Sequence, residues 1–139
     1  AEPVDDDAFL FCRGGLASPE FGGFVSFEGR VRNHHEGREV EGLHYEAYLE
    51  LAQKEGHRLV EKVSRKFGVR AAAIHAVGDL KPGDLAVWVG AAAAHREEAF
   101  AACRELIDTI KLRVPIWKRE TYVDGHGEWI EGCRCVPHE

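Results

Sequence analysis

The chain has 139 residues, of which 45% are hydrophobic and 30% charged, a length and balance that suit one compact domain and exclude disorder as the main state. Its 24 acidic side chains outweigh 18 lysines and arginines, giving a formal net charge of -6; broad nucleic-acid binding is disfavoured, and any anion site must be local. The longest apolar run, the ten residues from Leu85 to Ala94, falls short of the roughly 18 that a membrane helix needs, and Asp5-Asp6-Asp7 stands where a secretory signal carries positive charge, so a cytoplasmic protein is expected.

From Phe24 to Arg32 the residues alternate, with Val25, Phe27, Gly29 and Val31 on one face and Ser26, Glu28, Arg30 and Arg32 on the other. That is the pattern of a half-buried strand. Its polar face sets two guanidinium groups side by side, just before a loop from Asn33 to Gly37. Val40 to Glu46 reads as a second strand. Ala47 to Phe67 carries Tyr48, Leu51, Ala52, Leu59, Val60, Val63 and Phe67 at helical spacing, closed by Gly68, with Gly56 weakening the middle. Val69 to Val77 and Leu85 to Ala91 read as a hairpin, joined through Asp79 to Asp84, where Pro82-Gly83 suits a type II turn. A second helix spans His95 to Arg113, with Ala99, Cys103, Leu106, Ile107 and Ile110 on its buried stripe, and stops before Pro115. Arg119 to Val123 and Glu128 to Glu131 form two short strands hinged at Asp124-Gly125.

The order ββ-α-ββ-α-ββ predicts an α+β fold in which local hairpins build an antiparallel or mixed sheet with two main helices packed on it. One domain spans 1–139, with 133–139 as a mobile tail.

Phosphate-loop, dinucleotide and GxSxG signatures are absent. The cysteines Cys12, Cys103, Cys133 and Cys135 contain no CxxC pair and are read as free thiols, with Cys103 in the core. The histidines show no metal spacing, so no metal site is expected; His34, His35, His44, His57, His75, His126 and His138 take structural or solvent roles. Glu128 and Glu131 do not share a strand face, which weakens a paired-carboxylate reading.

Two stretches oppose the acidic background. Arg104 to Glu120 holds five cations against three carboxylates, and Arg30 to Arg38 three against one. Taken singly, each cation has an ordinary reading; Lys111, for example, meets the negative end of a helix dipole, worth some tenths of a kcal/mol. Together they point to a cleft, because the short connection Pro115-Ile116-Trp117 ties Lys111 to Lys118. His95-Arg96 opens a helix, where free N–H groups and the dipole favour an anion such as phosphate.

Four segments carry a resemblance: F-E-G-R-V-R-N-H at Phe27 to His34, L-H-Y-E-A-Y at Leu43 to Tyr48, A-H-R-E-E-A-F at Ala94 to Phe100, and K-L-R-V-P-I-W-K-R-E at Lys111 to Glu120. From about Phe24 to Glu131 the chain resembles the catalytic (large) subunit family of molybdopterin synthase. The resemblance implies an α/β hammerhead with a small extra β subdomain and a sulfurtransferase of molybdenum cofactor biosynthesis. Its substrate would be cyclic pyranopterin monophosphate, converted to molybdopterin with no permanently bound cofactor. The sulfur donor would be the C-terminal Gly-Gly thiocarboxylate of a small ubiquitin-like subunit, and the large subunit would form a homodimer within a heterotetramer.

By the same resemblance Lys111 and Lys118 are catalytic and also contact substrate. Lys111 would balance developing charge, and Lys118 would act as acid/base or as transient acyl acceptor. Arg30, Val31, Arg32, His95 and Arg96 match anion and pterin contacts, with Arg119 and Glu120 completing the rim. The chain departs from the pattern at His75-Ala76, where many members carry His-Arg. The alternative is a non-catalytic phosphate- or nucleotide-binding module of ferredoxin-like build, using the same arginines and helix start. A zinc or thiol enzyme would need ligands or a reactive cysteine that the spacing does not supply.

Overall fold

The computed structural model describes residues 15–16, 18–123 and 127–129. Along the chain run β1 (Gly23–Arg30), β2 (His34–His35), β3 (Arg38–Ala47), α1 (Leu49–Phe67), β4 (Arg70–His75), β5 (Gly78–Leu80), β6 (Leu85–Ala93), α2 (Arg96–Arg113), β7 (Ile116–Tyr122) and β8 (Gly127–Trp129). Every pairing among them is antiparallel, and the α+β class read from the sequence stands. Cys12, Cys133, Cys135, His126, His138, Glu131, the Asp124-Gly125 hinge and the tail 133–139 lie outside the described residues. None of the described helices is long and apolar enough to cross a membrane.

The strands form two sheets where the sequence suggested one. The first has the order β1-β6-β4; the second runs β2-β3-β7-β8, with β5 also on β3. Local hairpins therefore do not dominate. β4 and β6 pair as expected, but their connection carries β5, which leaves to join β3 through Leu43 and Leu80. β1 pairs with β6 instead of with the next strand. The reason is burial: every residue of β6 is buried, as befits a central strand that needs a neighbour on both edges. His34 and His35, expected in a loop, pair with Glu39 and Arg38 across a tight hairpin in which Glu36 and Gly37 both take positive φ.

The punctuation behaves as its chemistry dictates. Gly68 caps α1 in the left-handed conformation, with its N–H on the Ser64 carbonyl. Pro82-Gly83 forms the expected turn, with Gly83 at φ 94°, the Asp84 N–H on the Lys81 carbonyl and the Lys81 N–H on the Asp84 carboxylate. α2 gives way to extended Val114 before Pro115. β7 starts three residues earlier than predicted, because Ile116 already pairs with Ala47 at the end of β3. Lys118 thus sits inside a strand.

Both helices pack on one face of the first sheet, Leu59 and Val63 of α1 and Ala99, Cys103, Leu106 and Ile110 of α2 meeting Val87, Val89 and Ala91. Trp88 and Ala92 point to the other face, against Leu16. Tyr48 and Leu51, assigned to the buried stripe of α1, are exposed; Tyr48 precedes the helix as its N-cap and sets its ring edge-on to Trp117. Phe27, also placed on a buried face, is partly exposed. A smaller cluster of Val31, Leu43, Ala76, Leu80 and Ala86, with Tyr45 against it, joins the two sheets.

Candidate active site

Lys111 lies in the last turn of α2. After Val114 and Pro115 the chain enters β7, where alternation places Ile116, Lys118, Glu120 and Tyr122 on one face and Trp117 and Arg119 on the other. Register with β3 sets Tyr45 opposite Lys118 and Leu43 opposite Glu120, so these pairs project to the same side. The ring of His75, the last residue of β4, meets Tyr45 edge-on, with centroids 4.9 Å apart. Its Nδ1 lies 2.6 Å from the Ala76 carbonyl oxygen.

His75 also lines a pocket of about 380 Å³ walled by Ala47, Val87, Ile110, Val114 and Ile116. Burial pushes its pKa down to about 4; the bond to Ala76 opposes this, and the ammonium groups of Lys111 and Lys118 add to the depression. Ile110, beside Lys111, and Ile116, two residues before Lys118, both line the pocket, so the helix end and the strand start meet at its wall with the two lysines at its edge. The product is an apolar pocket flanked by two cations and holding a neutral imidazole, an arrangement suited to binding an anion and polarising a carbonyl away from bulk water.

Arg30, Val31 and Arg32 stand at the same end of the molecule. Val31 is buried, its N–H on the Asp84 carbonyl and its own carbonyl accepting from Gly83. Arg30 donates to Glu28 Oε1 through Nε (3.0 Å) and Nη2 (2.9 Å), and to the Gly83 carbonyl through Nη1 (2.9 Å). Arg32 is exposed and makes no hydrogen bond among the described residues.

His95 and Arg96 are elsewhere. His95 is the extended N-cap of α2 and makes no side-chain cap bond, and a Cβ on Gly23 would sit 3.2 Å from the Arg96 backbone. The helix thus starts beside the first residue of β1, touches Val89 through Cys103 and reaches Val87 at Ile110. At 1.5 Å per residue Lys111 lies roughly 22 Å along α2 from Arg96. Within one chain, therefore, the helix-start cations and the lysine pair are two separate sites.

Glu120 is a buried charged side chain, 6% exposed. It accepts the Tyr122 hydroxyl at 2.7 Å, and His35 Nδ1 approaches its other oxygen at 3.9 Å. Arg38 stacks its guanidinium 3.6 Å from the Tyr122 ring centroid. Arg119 faces the opposite side of the sheet, the side of its cross-strand partner His44, whose ring bridges Asp79 (2.7 Å) and Glu46 (3.2 Å).

His75 and Tyr45 are the residues that sequence reasoning left out of the site. His75 was given a structural role, and only the pairing of β4 with β6 and of β3 with β7 brings it beside the lysines. Cys103 is buried, Sγ 3.9 Å from the Val89 carbonyl, and burial raises its pKa; that is the setting of a core thiol, not of a nucleophile. Among the described residues no group of three His, Cys, Asp or Glu side chains is placed to hold a metal.

A family model described as MoaE protein matches residues 2–113, which includes Lys111 and ends short of Lys118. The molybdopterin synthase catalytic subunit of Pyrococcus abyssi is 45% identical over 123 residues, 88% of this chain and 82% of the relative. That of Thermoplasma volcanium is 43% identical over 112 residues, covering 80% and 82%. Among solved structures, molybdopterin synthase from Staphylococcus aureus matches with a TM-score of 0.84 and 32% identity over 93% of this chain and 92% of that one. The complex of subunits 1 and 2 of molybdopterin-converting factor from Helicobacter pylori shares the fold at a TM-score of 0.77 and 22% identity, covering 97% and 89%. Family model, relatives and fold agree: the chain belongs to the MoaE protein family.

Proposed function

We propose that the chain is the catalytic subunit of a molybdopterin synthase, moving sulfur from the C-terminal thiocarboxylate of a small ubiquitin-like subunit onto cyclic pyranopterin monophosphate. The observation that carries this reading is the convergence of Lys111 and Lys118 on one apolar pocket at His75. The reacting sulfur arrives on the partner, so the chain needs no nucleophilic thiol of its own, in keeping with the buried Cys103. Its task is to hold two reactants together and to meet charge as it develops. Lys118, fixed within β7, is placed for proton transfer or transient acylation, while Lys111, on an exposed helix end, balances the negative charge.

The helix-start cations enter this reading through a second copy. His95 and Arg96 lie too far from Lys111 in one chain to serve the same reaction, and a homodimer that sets the α2 start of one protomer against the lysine end of its partner supplies the missing phosphate contacts. A small-subunit partner is supported by the Helicobacter pylori neighbour, a complex of two subunits. A cytoplasmic setting accompanies the reading, the compartment in which thiols are kept reduced.

The test is incubation of the chain with a thiocarboxylated small subunit and the cyclic pterin, watching for dithiolene product. Tight pterin binding with no product over many turnover times would instead identify a non-catalytic binding module.

A further inference from the structure

His75 is a polar group of the pocket that this chemistry leaves without a task, and the one in ring contact with Tyr45, the cross-strand partner of Lys118. Its Nδ1 lies 2.6 Å from the Ala76 carbonyl oxygen; a carbonyl only accepts, so Nδ1 carries the ring proton and, in the neutral ring, Nε2 holds a lone pair. With the pKa held near 4 by burial, that lone pair persists throughout the neutral pH range. Nε2 has no hydrogen-bond partner among the described residues, nor is it among the buried unpartnered atoms, so it is open to the pocket that the ring lines. Tyr45 of β3 meets the ring edge-on, the charges of Lys111 from α2 and Lys118 from β7 act on it, and Gln53 and His57 of α1 line the same pocket.

A free anion seated between two ammonium groups gains nothing from a lone pair beside it. A peptide C-terminus does. Its terminal carbonyl group goes to the cations, while the N–H of the same terminal residue leaves water and requires an acceptor. Resting on the partner reading given above, we infer that His75 Nε2 accepts the hydrogen bond of the terminal peptide N–H of the partner's tail. His75 is thereby a specificity-determining residue that distinguishes a chain end from a free anion.

The test uses the intact small subunit, prepared by peptide ligation with either glycine or N-methylglycine as its last residue, titrated calorimetrically into the parent chain and into His75→Phe. For the parent, N-methylation should weaken binding at least fivefold; for His75→Phe the two ends should bind within twofold of each other, which cancels any general effect of the methyl group. A second measurement needs no variant: the Nε2 nitrogen resonance of ring-labelled His75 in the parent should shift upfield on binding the glycine-ended subunit and stay in place with the methylated one. Tight binding of both forms to the parent with equal affinity overturns the inference alone. Equal weakening by N-methylation in parent and His75→Phe overturns it as well. Failure of the glycine-ended subunit to bind the parent at all overturns the partner reading and this inference together.

Discussion

Replacing Tyr122 by phenylalanine removes one oxygen from the interior and leaves everything around it in place. The ring remains for Arg38 to stack on at 3.6 Å, and the pairing of β7 with β3 is untouched. What is lost is the 2.7 Å bond from the hydroxyl to Glu120 Oε1. Glu120 is 6% exposed and His35, at 3.9 Å, is beyond hydrogen-bond range, so neither water nor a neighbour takes over at once. A hydrogen bond to an ionised group contributes about 1.5–3 kcal/mol net, and the desolvated carboxylate left behind places the expected loss in that range. For a chain of this size each kcal/mol shifts Tm by about 4 °C, so Tyr122→Phe should melt about 6–12 °C below the parent. Thermal denaturation followed by circular dichroism measures this, and urea unfolding with an unchanged slope would confirm that the denatured state is not the cause. A Tm indistinguishable from the parent's would refute the argument that this bond holds Glu120 in the interior.

Lys111→Ala and Lys118→Ala should each abolish or greatly reduce product formation with circular dichroism and partner binding unchanged; parent-like turnover in either would remove that lysine from the chemistry. Mixing Lys118→Ala with Arg96→Ala chains, each inactive alone, should restore about a quarter of parental activity through mixed dimers whose one intact site draws on both protomers, whereas no recovery on subunit exchange would mean that the two residues serve the same protomer. Cys103→Ser should destabilise by about 1–3 kcal/mol, because a hydroxyl replaces a thiol on the buried stripe of α2, and should leave the sulfur-transfer rate per folded molecule unchanged, checked by denaturant titration alongside the activity assay. The Asp79 hydrogen bond, with Glu46 assisting, raises the pKa of His44 above 6.5; the resulting stabilisation is full below pH 6.5 and fades as pH rises through the folded value. Relative to His44→Gln, the parent should lose a few tenths of a kcal/mol between about pH 6 and 8, small because the groups are largely solvated, and a flat difference across that window would contradict the assignment.

The parts of this fold that were legible in the sequence are those set by near neighbours. Gly68 ends α1, Pro115 ends α2 and Pro82-Gly83 turns the chain because each acts on its own backbone. The closeness of Lys111 and Lys118 was legible too, since so few residues separate them. Alternation in β1 predicted a strand but not its partner; period-two patterns say which face is buried and nothing about which strand lies alongside. The same limit hid His75, which reaches the lysines only through two non-local pairings. Nor did it give the distance between Arg30 and Arg96, which β1 and α2, running side by side, carry to opposite ends of one chain.

The chemistry of the pocket hangs on the register between β3 and β7. Because side chains alternate, sliding β7 by one position against β3 would turn Lys118 outward and bring Arg119 in. The charge at the site would be conserved and the amine proposed to react would be lost, for a guanidinium does not release its proton at physiological pH. The irregularity between Val40 and Gly42 marks the register of β3 against β7 at one point, while the Leu80 carbonyl, which would lie 2.8 Å from a Cβ at Gly42, requires glycine there for the close approach of β5 to β3. On the proposed roles, a single-residue insertion between Val114 and Ile116 that shifts β7 by one position would keep the fold and the charge while silencing the enzyme. Homologues with a connection of different length there deserve to be tested for activity before they are assumed to share it.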